Sequence, residues 1–256
     1  MNYCAYCGLF FFNLTERDKQ FNLYAFHNLL VSYLYLCFQN KRAYKMKVIA
    51  INGSPHKEGN TYHALKIVGS KLEENGIDFE IIHVGNKAVR GCIACGSCRK
   101  NQDEKCSITT DPVNEWIQVA KDADGIIISS PVYYSGVAGT MKSFLDRFFY
   151  VSGSNGNFFR HKVGAAVVSL RRSGGSSTLD TLNHYLSYSE MLVATSSYWN
   201  IIHGTTPGEV LQDSEGVQIM EVLGNNMAWQ LKMREMTKET LPAPAKVQKV
   251  MTNFIR

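Results

Sequence analysis

The chain has 256 residues, of which 45% are hydrophobic and 19% charged, and its formal net charge is +5. This length suits one large domain, or one domain with an extension, and the composition excludes wholesale disorder, collagen and coiled coil. The excess of positive charge is small and unclustered, so we expect no nucleic-acid partner.

The first 45 residues differ in composition from the rest and hold three of the five net positive charges. Their most apolar stretch, residues 21–38, is short for a membrane span and contains polar residues, and a single interfacial helix fits it equally well. Met46 is followed at once by a complete strand and loop pattern. We therefore expect residues 1–45 to be a dispensable N-terminal extension, or the product of a mis-called start codon, rather than a membrane anchor.

Residues 46–240 alternate apolar strand patterns with helical periodicity. The predicted strands are 47–52, 78–84, 125–130, 162–170 and 193–199, with the third ending before Pro131. The predicted helices are 61–75, 111–122, 137–150, 179–191 and 215–238, and 241–256 form a C-terminal tail. This alternation indicates an α/β fold whose parallel sheet is covered by helices on both faces.

Ligands of such sheets bind beyond the carboxyl ends of the strands. The loop GSPHKEGNT, residues 53–61, offers hydroxyl groups, backbone N–H groups and a helix N-terminus to an anion. It lacks the glycine motifs of dinucleotide folds and P-loops, and an ordinary strand-to-helix turn is the alternative.

Two further loops follow predicted strands. In PVYYSGVAGT, residues 131–140, Tyr133 and Tyr134 could stack on a flat aromatic ligand or be half-buried loop aromatics. In SLRRSGGSST, residues 169–178, Arg171 or Arg172 could neutralise negative charge on a ligand or be solvated. Elsewhere we expect an ion pair between Asp146 and Arg147.

Four of the seven cysteines lie within fifteen residues, spaced Cys92-x2-Cys95-x2-Cys98-x7-Cys106. This spacing is too tight for a disulfide framework, and we find no export-signal pattern. The run therefore indicates metal or redox chemistry in a reducing compartment, and we expect a cytoplasmic protein. Four thiolates can hold a [4Fe–4S] cluster or a zinc ion, and free thiols are the third alternative.

MKVIAINGSPHKEGNT at 46–61 and PVYYSGVAGTMKSFLDR at 131–147 resemble the flavodoxin-like NAD(P)H-dependent FMN reductase family. The cysteine run is similar to that of its iron–sulfur flavoprotein subgroup, although Ser107 stands where a proline would follow the last cysteine. The resemblance covers residues 46–238. It implies a flavodoxin-like three-layer sandwich with a five-stranded parallel sheet in the order 2-1-3-4-5. It also implies a homodimer or homotetramer.

The resemblance implies an FMN site at matching positions of this chain. Residues expected around the phosphate are Ser54, His56, Asn60 and Thr61. Those expected along the isoalloxazine ring are Pro131, Val132, Tyr133, Tyr134, Ser135 and Gly136, with Ser173, Gly174 and Gly175 at its other edge. If a [4Fe–4S] cluster is present, its ligands would be Cys92, Cys95, Cys98 and Cys106.

The expected function is that of an FMN-dependent oxidoreductase that passes electrons from NAD(P)H through FMN to a small-molecule acceptor or a redox protein. Because the cofactor carries the chemistry, no side chain is expected to act as a catalytic acid or base. His203, expected in a loop, could contact substrate. The alternatives are an electron carrier between protein partners, of iron–sulfur flavoprotein or flavodoxin type, and a redox sensor working through the cysteines.

Overall fold

The computed structural model of the chain describes residues 45–255. The expectations for residues 1–44, including the extension and its apolar stretch, lie outside these residues. Within the described part, no helix combines the length and the hydropathy that a bilayer crossing requires.

Seven strands and six α-helices make up the described fold. The strands are β1 Lys47–Asn52, β2 Asp78–His83, β3 Gly125–Tyr133, β4 Gly136–Val137, β5 Val163–Leu170, β6 Leu192–Val193 and β7 Ile201–His203. The helices are α1 Asn60–Glu74, α2 Ser97–Asn101, α3 Val113–Lys121, α4 Gly139–Ser154, α5 Gly175–Tyr188 and α6 Ser214–Thr237, with a 3₁₀-helix at Glu209–Gln212.

The sheet has the expected order. Strands β2, β1, β3 and β5 are parallel neighbours, and β6 and β7 both pair with the outer edge of β5. The fourth predicted strand corresponds to β5, and the fifth corresponds to the sheet edge formed by β6 and β7. The predicted order 2-1-3-4-5 is therefore confirmed. The described sheet has seven strands rather than the predicted five, because the edge strand is divided into β6 and β7 and because β4 pairs antiparallel with β3.

The predicted fifth strand, 193–199, is wrong in its extent. The Ser196 hydroxyl donates to the carbonyl of Tyr198 and to the side chain of Asn200, both at 2.7 Å. These local bonds turn the chain away from the sheet, because hydroxyl side chains compete with ladder pairing. The chain rejoins the edge at β7, which holds His203 in a strand rather than in the expected loop.

The predicted end of the third strand at Pro131 is also wrong. β3 runs on to Tyr133 because β4 pairs with its last residues, Val132 with Val137 and Tyr133 with Gly136. A proline gives no N–H to a ladder, yet the hairpin beyond it supplies new backbone partners. The second loop is thus a β-hairpin.

Helices cover both faces of the sheet. Alternate residues of a strand point to opposite faces, so Val48 and Ala50 of β1 belong to the apolar cluster that contains α1 and α6 residues, while Ile49 and Ile51 belong to the cluster on the other face, with residues of α3, α4 and α5. All four are completely buried. The three-layer sandwich leaves the carboxyl ends of the strands open along one edge, and the loops of interest lie there.

At the opposite edge, Lys162 is a largely buried lysine. Its ammonium group donates to the carbonyl oxygens of Lys121 and Ala123, the former at 2.7 Å. Burial lowers the pKa of Lys162 to about 8, although the nearby Asp124 carboxylate opposes the shift. The folded chain therefore loses this proton at lower pH than the unfolded chain does.

This shift predicts a pH-dependent stability difference between the wild type and Lys162→Met. Between about pH 8 and about pH 10 the unfolded lysine binds a proton that the folded one has released, so wild-type stability rises relative to the variant. Between about pH 7 and about pH 9.5, the free energy of unfolding of the wild type should increase relative to that of Lys162→Met by on the order of 1–2 kcal/mol, measured by urea unfolding. Lys66→Met, at an exposed lysine of α1, should show no such trend.

Candidate functional site

The loop after β1 is shaped by the buried side chain of Asn52. Its amide oxygen accepts from the backbone N–H of Ser54 at 3.0 Å, and its amide nitrogen donates to the carbonyl of Lys57 at 3.1 Å. The Ser54 hydroxyl accepts from the N–H of His56 at 3.2 Å. These bonds fold residues 53–59 into a compact loop that leads directly into α1.

Close backbone approach fixes the position of this loop. A Cβ on Gly53 would lie 2.6 Å from the carbonyl oxygen of Ser129, and one on Gly85 would lie 2.1 Å from the carbonyl oxygen of Ser54. Neither position has room for a side chain. The loop is therefore held against β3 and the segment after β2 at distances that only glycine allows.

The N-terminus of α1 is open to the site. Among residues 45–255, no side chain caps this helix end. The first amide groups of a helix have no acceptors within the helix and attract anions. The Thr61 and Ser169 hydroxyl oxygens lie 2.6 Å apart in a buried contact, which ties this helix end to the end of β5. The Asn60 side-chain oxygen accepts from the N–H of Val210 at 3.4 Å.

The β3–β4 hairpin turns through a strained backbone. Tyr134 and Ser135 have φ values of +49° and +59°, a left-handed conformation that residues other than glycine rarely adopt. Two-residue hairpin turns of this kind usually carry Asn-Gly. The Ser130 hydroxyl accepts from the N–H of Ala138 at 3.0 Å, and the Ser177 hydroxyl donates to the carbonyl of Ser135 at 2.7 Å. Contacts from β3 and α5 thus hold the turn.

The loops surround two adjoining cavities, and Leu170 borders both. The smaller has a volume of about 260 Å³. Its lining includes seven of the predicted FMN residues, namely Ser54, His56, Asn60, Thr61, Pro131, Val132 and Tyr133. The larger has a volume of about 450 Å³, and its lining includes the predicted residues Ser173, Gly174 and Gly175. Tyr134, Ser135 and Gly136 form the hairpin turn and line neither cavity.

Sequence reasoning missed one wall of the smaller cavity. Gly204, Thr205 and Pro207 line it from the segment that follows β7. The signal was present, because the sequence GTTPG marks a turn after the fifth strand, at the same edge of the sheet as the other loops. Of the two arginines in the third loop, Arg171 lines the smaller cavity and Arg172 the larger one.

His203 lines the larger cavity and is held by Asp213. The backbone N–H of His203 donates to the Asp213 carboxylate at 2.8 Å, and the imidazole Nδ1 lies 3.3 Å from the same oxygen. Partial burial raises the pKa of Asp213, but the bonds from Gly216 and His203 more than offset this, so the pKa lies below its ordinary value. A substrate contact by His203 remains a prediction.

The four predicted cysteine ligands line one small cavity of about 20 Å³. All four are free thiols; Cys92 and Cys95 are exposed, Cys98 is buried and Cys106 is half-buried. The Ser107 hydroxyl, 3.1 Å from the Cys95 sulfur, is the main cause that lowers the pKa of Cys95 to about 7. Within residues 45–255, no three Cys, His, Asp or Glu side chains converge closely enough to hold a single metal ion.

Two asparagines hold the cysteine segment in place. The Asn114 amide accepts from the N–H of Cys106 at 2.7 Å and donates to its carbonyl at 2.9 Å. The Asn155 amide donates to the carbonyl of Cys98 at 3.2 Å. The cysteine segment contains the short helix α2, in a stretch for which the sequence predicted neither a strand nor a helix.

The expected ion pair between Asp146 and Arg147 is wrong. Neighbouring residues of a helix do not face each other. Asp146 instead accepts from Lys142, one turn earlier, at 2.7 Å. Arg147 turns inward and pairs with Asp111 at 2.5 and 2.9 Å. Burial lowers the pKa of Arg147, but Asp111 and Cys106 together outweigh burial and raise it.

Comparisons with known proteins find similar sequences over most of the described residues. Residues 46–206 match the family described as NADPH-dependent FMN reductase. An iron–sulfur flavoprotein of Methanocaldococcus jannaschii is 35% identical over 195 residues, which cover 73% of this chain and 98% of that protein.

Two solved structures share the fold. RosB, with bound 8-demethyl-8-formylriboflavin-5'-phosphate, has a TM-score of 0.58 at 15% identity, covering 82% of this chain and 94% of its own. The flavodoxin, WrbA-like protein from Agrobacterium tumefaciens has a TM-score of 0.51 at 15% identity, covering 74% and 98%. At these identities the likeness shows the fold alone.

The hydroxyl contact between Thr61 and Ser169 can be tested by a double-mutant cycle. Thr61→Val and Ser169→Ala should each lower the free energy of unfolding. The double variant should lower it by less than the sum of the two single effects, with a coupling energy of about 1 kcal/mol. Unfolding in urea measures all four proteins. Thr181→Val is the control, because it removes a hydroxyl of α5 that bonds to the carbonyl of Ser177 in the same helix. Its effect on the free energy of unfolding should add fully to that of Ser169→Ala. Full additivity for Thr61→Val would contradict the contact.

Proposed function

The chain belongs to the NADPH-dependent FMN reductase family, and we propose that it takes electrons from NAD(P)H and passes them through FMN to a small-molecule or protein acceptor. Its membership makes it an FMN-dependent oxidoreductase. One observation supports the finer proposal most strongly: seven residues predicted from separate loops line the same cavity at the carboxyl edge of the sheet.

The chemistry of the smaller cavity fits the phosphate end of FMN. The open N-terminus of α1 offers amide donors, and Arg171 offers positive charge beside them. Such a helix end favours a phosphate dianion by its dipole and by direct hydrogen bonds. We assign Ser54, Asn60 and Thr61 to the phosphate, with His56 at the rim of the cavity.

The hairpin fits the flat ring of the flavin. The turn at Tyr134 and Ser135 has a left-handed backbone and lies beyond the last ladder pair, Tyr133 with Gly136, at the carboxyl end of β3. We assign residues 131–136 to one edge of the isoalloxazine and residues 173–175 to the other. When bound, FMN supplies both hydride and single-electron chemistry. The chain binds the flavin, orients it and restricts access to it.

The larger cavity suits the electron donor or acceptor. Trp199 and Tyr198 border it with rings that are 59% and 63% exposed, and Arg172 adds a positive charge. Aromatic faces stack on nicotinamide or quinone rings, and arginine pairs with phosphate. We propose that NAD(P)H and the acceptor use this cavity in turn.

A second candidate function is supported by the cysteine segment. Four free thiols line one cavity, and four cysteine thiolates are the donor set that would hold a [4Fe–4S] cluster. The donor set therefore fits a cluster. With a cluster held by Cys92, Cys95, Cys98 and Cys106, the protein would relay single electrons to a redox protein.

Reduced thiols of this kind persist in a reducing compartment, and we propose the cytoplasm on that ground. We also propose a homodimer or homotetramer, because exposed aromatic residues such as Tyr188, Trp199 and Trp229 are typical of covered surfaces. Size-exclusion chromatography with light scattering measures the assembly directly.

The phosphate assignment predicts a binding defect. Asn60→Ala combined with Thr61→Ala should weaken FMN binding by about tenfold or more, because the variant loses a hydroxyl donor and loosens the wall anchored through Val210. Flavin fluorescence quenching measures the affinity. Asn225→Ala with Thr237→Ala, two exposed residues of α6, is the matched control. Equal FMN affinity in both double variants would remove the phosphate assignment.

The cofactor content separates the two candidate functions. The protein purified without oxygen is examined by its visible spectrum, together with iron and acid-labile sulfide counts. Flavin bands with a broad iron–sulfur absorbance that bleaches on reduction would support the electron relay, and Cys106→Ser should then lower the iron content. Flavin bands without iron, with steady NAD(P)H oxidation on addition of quinone, would support the simple reductase. Absence of flavin binding would contradict both.

A further inference from the structure

Arg147 is a completely buried arginine beneath the cysteine segment, and its side chain has 0% exposure. Its two terminal nitrogens each donate to one oxygen of Asp111, at 2.5 and 2.9 Å. The same nitrogens also donate to the carbonyls of Arg90 and Ile108, at 3.1 and 3.0 Å. The remaining donor, Nε–H, points to the Cys106 sulfur at 3.3 Å.

The two carbonyls lie at the ends of the cysteine segment. Arg90 precedes Cys92 by two residues, and Ile108 follows Cys106 by two residues. One planar guanidinium group therefore joins the entry and the exit of the segment that carries all four thiols. Because the five donors of a guanidinium have a fixed fork geometry, bonds to four of them fix the direction of the fifth.

We propose that Arg147 is a positioning residue of the cysteine site, which clamps both ends of residues 92–106 and raises the reduction potential of a cluster held there through its bond to Cys106. The inference rests on the cluster of the second candidate function. It goes beyond that function by naming a residue, outside the ligand set, that controls how firmly the cluster is held and how readily it is reduced.

The physical reason for the effect on the potential is electrostatic. Reduction adds a negative charge to the cluster and its thiolates, and an N–H donor to a ligand sulfur stabilises the more negative state. The donor side of the bond is fully buried and Cys106 is half-buried, so water screens the bond less than it would at the surface. Asp111 balances the overall charge of Arg147, so the directed Nε–H bond is what the sulfur experiences most strongly.

Three variants separate the bond from the ion pair. Arg147→Gln removes the charge, the clamp and the donor. Arg147→Lys keeps a positive charge but cannot reach Asp111, both carbonyls and the sulfur together. Asp111→Asn is the matched control, because it alters the ion pair and leaves Nε–H in place. Each protein is prepared in full length without oxygen and loaded with iron and sulfide.

The measured quantities are iron per chain, the rate of iron loss to a chelator, and the midpoint potential of the cluster by redox titration followed by electron paramagnetic resonance. We expect Arg147→Gln to lose iron about tenfold faster than the wild type and to have a lower potential. Arg147→Lys should have a rate of iron loss and a midpoint potential between those of the wild type and Arg147→Gln. Asp111→Asn, which removes a negative charge, should have an unchanged or higher potential.

Each contrary outcome has a defined meaning. An Arg147→Gln potential equal to or above that of the wild type overturns the inference, as does an equal decrease in Asp111→Asn. If Arg147→Gln does not fold, the inference is tested with Arg147→Lys instead. It is overturned if Arg147→Lys has the same midpoint potential and the same rate of iron loss as the wild type. A wild-type protein that takes up no iron overturns the cluster and this inference with it. Iron in the wild type without an Arg147 effect overturns the inference alone.

Discussion

The buried ion pair between Arg147 and Asp111 is the interaction on which the arrangement of the cysteine segment depends. Removing one partner of such a pair costs about 3–5 kcal/mol, because the other charge is left uncompensated in a medium of low dielectric. Here the pair does more than compensate two charges. The other donors of the same guanidinium group bond to Arg90, Ile108 and Cys106, so a 15-residue segment with little regular structure is fixed at both ends.

The helix that carries Arg147 also reaches the edge of the sheet where we propose that flavin binds. α4 begins directly after the β3–β4 hairpin. In the first turn of α4, the Cγ atom of Met141 lies 2.7 Å from the position that a Cβ on Gly53 would occupy. About one and two turns later, Phe144 and Phe148 are fully buried in the core. One rigid element therefore touches the first loop, follows the second and supports the cysteines.

The strands, and the loops after the first, third and fourth predicted strands, could be located from the sequence because they depend on local patterns, namely apolar runs followed by glycine, proline and hydroxyl residues. The order of the strands in the sheet was implied by the family resemblance. The broken edge strand could not be predicted from the sequence, because the Ser196 hydroxyl bonds that interrupt it compete with pairing that the residues otherwise favour. The Arg147 network is harder still. Its partner Asp111 is 36 residues away along the chain, and no periodicity connects the two positions.

The hairpin shows why local rules fail where a ligand binds. Its turn carries Tyr134 and Ser135 in place of Asn-Gly, so the sequence gives no hairpin signal, and the left-handed backbone of these two residues costs free energy. Such a conformation persists only when its surroundings hold it, and here Ser130 and Ser177 do so from two different elements. Ser177 lies on α5, next to the glycines assigned to the opposite edge of the flavin. The strain and its support therefore fix the hairpin turn relative to residues 173–175, the two segments that we propose for the edges of the flavin ring.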